Sequence, residues 1–156
     1  MSAGSYDRDM AQVEKVFTAS HPLEPGGDRY GVLSGFDPGT RRLPAGFRLT
    51  PPFRDLPVDI VLDKDVPVTL RDGVTIYVDV LRPVGTEKVP VIVAWSPYGK
   101  AEGSAPAAMG VFGLVGLDNA IVSGLHKFEG PDPAYWCAHG YAICNPDVRG
   151  VSDSEG

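Results

Sequence analysis

Few residues in the chain have the type and spacing to do chemistry. Acyl transfer through serine needs that serine on a sharp strand-to-helix turn, where a Gly-x-Ser-x-Gly spacing makes room for a strained, exposed nucleophile. No such pentapeptide occurs; Gly150-Val151-Ser152-Asp153-Ser154 comes nearest but ends on serine, and it reads as a decoy. The histidines His21, His126 and His139 are poor candidates for a base, and His139 falls at the end of a short helix, where a cation favours the helix dipole. Asp147, Asp153 and Glu155 could be read as a metal site, yet loops rich in serine and glycine commonly carry such charges into solvent, so no metal or cofactor is implied. Cys137 and Cys144 form no CxxC pair and read as buried, reduced thiols. Tyr98 remains. A phenol at the carboxyl end of a buried strand points into the crevice where α/β folds bind ligands, and its O–H can stabilise a developing negative charge. The competing reading is a tyrosine packed at a strand end with its hydroxyl in water.

The elements that must position these residues follow from periodicity. Tyr6 to Ala19 places Met10, Val13, Val16 and Phe17 on one helical face, and His21-Pro22 ends the pattern. Pro22 to Pro57 is dense in Gly, Pro and Arg, which predicts an irregular arm wrapping the domain. Residues 1–57 are therefore assigned to a helix and arm, and 58–156 to the regular domain. Val66 to Leu70 and Val74 to Leu81 are β-rich runs joined at Arg71-Asp72-Gly73, a strong hairpin turn. The second run alternates so that Val74, Ile76, Val78 and Val80 share one apolar face. Val89 to Trp95 is apolar almost without a break, as for an interior strand covered on both faces of a parallel sheet. The Gly- and Ala-rich stretch from Ala101 to Gly130, with an apolar part from Met109 to Leu125, has no clear assignment. Asp132-Pro133 starts a helix that Gly140 ends, and Tyr141 to Asn145 is a further short strand. Strand, helix, strand after a hairpin argues for an α/β sheet whose later strands run parallel.

Bulk properties set limits on partners. The chain has 156 residues, 43% of them apolar, enough for one domain with a hydrophobic core. A net charge of -6 with no cluster of Lys and Arg offers no footprint for nucleic acid or an acidic membrane surface. The polar N-terminus lacks the pattern of a secretory signal, no apolar run approaches the ~20 residues that cross a bilayer, and a cytoplasmic protein is expected.

Three segments, in this order, carry a resemblance: Leu70-Arg71-Asp72-Gly73-Val74 at the hairpin, Trp95-Ser96-Pro97-Tyr98-Gly99-Lys100 after the apolar strand, and Gly140-Tyr141-Ala142 leading to Asp147-Val148-Arg149-Gly150-Val151-Ser152-Asp153-Ser154-Glu155-Gly156. Together they resemble the cocaine-esterase and Xaa-Pro dipeptidyl-peptidase family of serine hydrolases (CocE/NonD-like) over about residues 58 to 156. The resemblance implies the N-terminal portion of an α/β-hydrolase sheet, with Tyr98 donating to the oxyanion. It implies an architectural role for Asp147 and Arg149, with Gly150 allowing the turn, and it places nucleophile, acid and histidine in sequence beyond Gly156.

The expected function is therefore the N-terminal segment of a serine hydrolase that cleaves an ester or amide through an acyl-enzyme. Its partners would be a small-molecule substrate and the remaining C-terminal part that carries the Ser/Asp/His triad; a homo-oligomer stays open. Without that part, the strand Val89 to Trp95 would be an exposed apolar edge. Trp95, Phe112 and Trp136 are expected near an acyl or leaving group, with core packing as their competing fate. A non-catalytic binding or assembly module and an acyl transferase on the same scaffold are the alternatives.

Overall fold

The computed structural model of the protein describes residues 33, 35–85, 87–100, 116 and 118–156. The helix expected over Tyr6 to Ala19, and Phe112, lie outside the described residues. Five strands form one mixed sheet in the order β1-β2-β3-β5-β4, with β1 at Gly39–Leu43, β2 at Ile60–Thr69, β3 at Thr75–Pro83, β4 at Val91–Val93 and β5 at Ala142–Pro146. β1, β2, β3 and β5 pair antiparallel in turn, and β4 joins β5 in parallel. Among the described residues an α-helix, α1 at Pro133–Ala138, lies between β4 and β5 in the chain.

Local chemistry explains most of these elements. Gly73 takes φ +87 in the β2–β3 turn, a conformation glycine adopts without strain, and Gly73 N donates to Leu70 O at 3.0 Å. Asp132 caps α1 by accepting from Ala134 N, with Pro133 at the first helical position. Asp132 also accepts from Arg54 Nη2 at 3.1 Å and from Ser123 N at 3.2 Å, so the cap ties the helix to the arm. Ala134 and Cys137 face the core, where they join Leu33, Leu43, Leu56, Ile60, Leu62, Leu81 and Leu125. The Cys137 thiol, which donates to Leu81 O at 3.5 Å, is pushed up to about 12 by burial, and Cys144 is also free and shifted up by burial.

Three expectations are corrected. The arm contributes a strand: β1 lies within the segment expected to be irregular, because Arg42 and Thr40 find carboxylate partners in Asp59 and Asp63 across the ladder. The hairpin's first strand begins at Ile60, six residues before Val66, and runs through the charges of Asp63, Lys64 and Asp65. β3 does not keep one apolar face: Ile76 and Val78 are buried, but further on it is Asp79 and Leu81 that are buried while Val80 is half-exposed. β2 carries a bulge at this point. The register runs Asp63 to Val80 and then Val66 to Val78, so Lys64 and Asp65 together oppose Asp79, and Asp65 takes φ +52.

The run Val89 to Trp95 is expected to be interior in a complete sheet and an exposed apolar edge in this chain by itself; β4 is the outermost strand among the described residues, and Val91, Val93 and Trp95 are 54%, 49% and 62% exposed. Pairing extends just past its ends, where Ala142 N donates to Pro90 O and Ala94 N to Cys144 O. No helix among the described residues is long and apolar enough to cross a membrane.

Candidate active site

Tyr98 stands in the segment that leaves the carboxyl end of β4, as expected for a residue at the mouth of a parallel strand pair. It is 40% exposed, and the Phe128 ring braces it edge-on, with centroids 4.7 Å apart at 87°. That contact leaves one side of the ring open while limiting its swing. The loop that starts beside it is closed by Lys100, whose backbone N–H donates to Asp147 Oδ1 at 2.6 Å.

Asp147, expected to be architectural, belongs to a group of buried charges whose other members, Lys64, Asp65, Asp79 and Lys100, were not expected to be buried. Lys100 Nζ is 2.9 Å from Asp147 Oδ2 and 2.8 Å from Asp65 Oδ1. Lys64 Nζ pairs with Asp65 Oδ2 at 2.8 Å and donates to Gly35 O. Asp65 also accepts from Asp37 N at 2.6 Å, and its own N–H donates to Asp79 Oδ1 at 2.9 Å. Burial acts to raise the Asp65 pKa, but the donors Lys100, Lys64 and Asp37 outweigh it and hold the carboxyl below its usual range. Lys100 is shifted upward, because its two carboxylate partners outweigh the cost of burial. Asp79 behaves in the opposite way: burial, only partly offset by Asp65 N and the lysines, raises its pKa to about 6. The sequence signals for this group were the short charge run Asp63-Lys64-Asp65 and the single charge of Lys100, which look solvated when read locally.

The carboxylates Asp147, Asp153 and Glu155 part company. Asp147 is buried and ion-paired, Asp153 is exposed, and Glu155 accepts from Thr75 N at 2.7 Å. Arg149 pairs with Asp72 in the hairpin turn, so both ends of the Asp147–Glu155 loop are tied to the start of β3. Ser154 is buried, donating to Asp147 O at 2.8 Å and accepting from Tyr77 N at 2.9 Å. Ser152 is exposed at φ +50 in a turn.

Trp95 is exposed one residue past the β4 ladder, near the start of the Tyr98 loop. Trp136 lies elsewhere. Its ring meets Tyr141 edge-on at 5.4 Å, just before β5 begins, so it marks the amino end of the strand pair whose carboxyl end carries Tyr98. His139 caps α1, with Nδ1 donating to Tyr135 O at 2.7 Å and its ring stacked on Tyr135. His126 is buried, and burial lowers its pKa.

An antiparallel entry followed by parallel strands, a helix between them and a tyrosine at their carboxyl end define the first part of an α/β-hydrolase sheet. Crystal structures of a CocE/NonD family hydrolase from Staphylococcus aureus match this fold, at TM-scores of 0.57 and 0.60 and 24% identity in each case. Those matches cover 76% and 86% of this chain but 20% and 23% of the solved chains. Residues 72–156 match the X-Pro dipeptidyl-peptidase (S15) family, and the chain belongs to that family. A curated relative, the L-tyrosine:2-oxoglutarate aminotransferase ucdG of Aspergillus ustus, is 46% identical over 67 residues, which is 43% of this chain and 13% of that protein.

Proposed function

We propose that the chain supplies the first strands and the oxyanion donor of a serine hydrolase that cleaves an ester or amide through an acyl-enzyme. The observation that carries this reading is Tyr98, partly exposed and braced by Phe128 at the carboxyl end of β4 in a chain of the S15 family. In the proposed reaction a serine oxygen, supplied by a segment outside these residues, attacks the substrate carbonyl carbon. The carbonyl oxygen takes up the negative charge and accepts a hydrogen bond from the Tyr98 hydroxyl. Collapse expels the alcohol or amine, and water then releases the acid. The partners of this chain are thus the substrate and the segment bearing serine, acid and histidine.

The test is a fluorophosphonate probe on the full protein together with a Tyr98→Phe variant. Labelling is expected, and loss of one oxyanion donor is expected to lower kcat by roughly 100-fold or more with KM little changed. An unlabelled protein would point instead to a non-catalytic module, and unchanged turnover in Tyr98→Phe would remove the tyrosine's role.

A further inference from the structure

We infer that Lys100, clamped between Asp147 and Asp65, is a positioning residue for the Tyr98 hydroxyl. The inference rests on reading Tyr98 as the oxyanion donor. The last ladder bond of the β4 edge is Ala94 N to Cys144 O at 2.9 Å, and no backbone-to-backbone hydrogen bond fixes residues 95–99 among the described residues. The segment is recaptured at Lys100, two residues after Tyr98, by its backbone N–H on Asp147 Oδ1 at 2.6 Å and its ammonium on Asp147 Oδ2 at 2.9 Å. The same ammonium reaches Asp65 Oδ1 at 2.8 Å.

Both anchors are themselves immobilised. Asp147 N donates to Tyr77 O at 2.9 Å, and Asp147 O accepts from Ser154 Oγ at 2.8 Å. Asp65 sits in the β2 bulge with its N–H on Asp79 Oδ1. Through one side chain the Tyr98 loop is thereby referred to β2, β3 and the end of β5. A buried ion triad is a costly way to fasten a loop, because apolar residues of similar size often serve stability equally well. What the triad adds is direction: fixed hydrogen bonds set where the backbone two residues away must run. An oxyanion donor needs that control, since a displacement of about 1 Å can cost on the order of 100-fold in rate.

The experiment is a double-mutant cycle on the full protein, read as hydrolysis of p-nitrophenyl acetate, with Lys100→Gln, Tyr98→Phe and both together. Lys100→Gln is expected to lower kcat by roughly 10- to 100-fold while KM shifts less than about threefold. In the Tyr98→Phe background the same change is expected to cost less than about twofold more, because the hydroxyl it positions is already gone. An equal loss in both backgrounds, or no loss in either, overturns the inference. No loss from Tyr98→Phe alone instead sinks the oxyanion reading, so the two failures are told apart. Asp147→Asn, which keeps an acceptor for Lys100 N but removes the charge facing its ammonium, is read by the same cycle where Lys100→Gln does not give a folded protein by thermal unfolding.

Discussion

Asp79 is a carboxyl in the wrong solvent. It is 1% exposed, opposite Asn145 in the β3–β5 register, with Oδ1 on Asp65 N and Oδ2 without a hydrogen-bond partner among the described residues. Its pKa of about 6 exceeds the ordinary carboxylate value, so the folded state binds this proton more tightly than the unfolded chain does. The stability this group contributes is therefore complete below about pH 4 and is lost as pH rises through 6. Asp65 runs the other way: its pKa is depressed, so its contribution is present at neutral pH and is lost as pH falls through its folded value. Asp79→Asn keeps an oxygen for Asp65 N and has no charge to desolvate. Relative to wild type it is expected to gain on the order of 1–2 kcal/mol between pH 4.5 and pH 8, measured by urea unfolding at both. A difference that does not change with pH would mean that Asp79 is ionised in the folded protein at pH 4.5 as it is at pH 8. Lys64, Asp65 and Lys100 were not legible in the sequence for the same reason that they matter. Each is charged, which read locally means solvent, and what ties the group together is distant in sequence: Lys100 on Asp65 and Asp147, and Asp65 N on Asp79.

Elements with local determinants were readable. Asp132-Pro133 and Gly140 mark the two ends of α1 within a few residues, and in the structure Asp132 accepts from Ala134 N and Gly140 takes φ +81. The Asp72-Gly73 turn is equally local. β1 and the first half of β2 were not readable, because their pairing is fixed by contacts distant in sequence, such as Thr40 with Asp63 and Arg82 with Asp63. The β2 bulge has no local signature at all. The cap is where local and distant determinants meet, since Asp132 serves the helix, Ser123 and Arg54 together. Asp132→Ala is expected to cost about 2–3 kcal/mol, more than the ~1 kcal/mol of a cap alone, because Arg54 and Ser123 lose their acceptor in the same step. Asp132→Asn, which can still cap, is expected to lose about half as much in parallel urea titrations. Equal losses would place the cost in the charge rather than in the cap.

For the whole molecule, the deciding feature is where the sheet stops. The order β1-β2-β3-β5-β4 leaves β4 paired on one side only among the described residues, and Val91, Val93 and Trp95, alternating along it, are each about half exposed or more. The apolar run thus carries one exposed face. Such an edge is a template for pairing with another chain. The 156-residue chain alone is therefore expected to self-associate, seen as species heavier than a monomer by light scattering after gel filtration. Charge placed on the exposed face discriminates between edge pairing and general instability. Val91→Lys and Val93→Lys put ammonium groups where side chains already meet solvent, so they are expected to restore a monomer while changing unfolding free energy by less than about 1 kcal/mol. Ile92, half-buried on the opposite face of the same strand, provides the contrast. Ile92→Lys is expected to lower stability without suppressing association, because it points its charge into packed side chains instead of along the open edge. Association that persists unchanged in the Val91 and Val93 variants would locate the contact elsewhere and leave the β4 edge with no part in it.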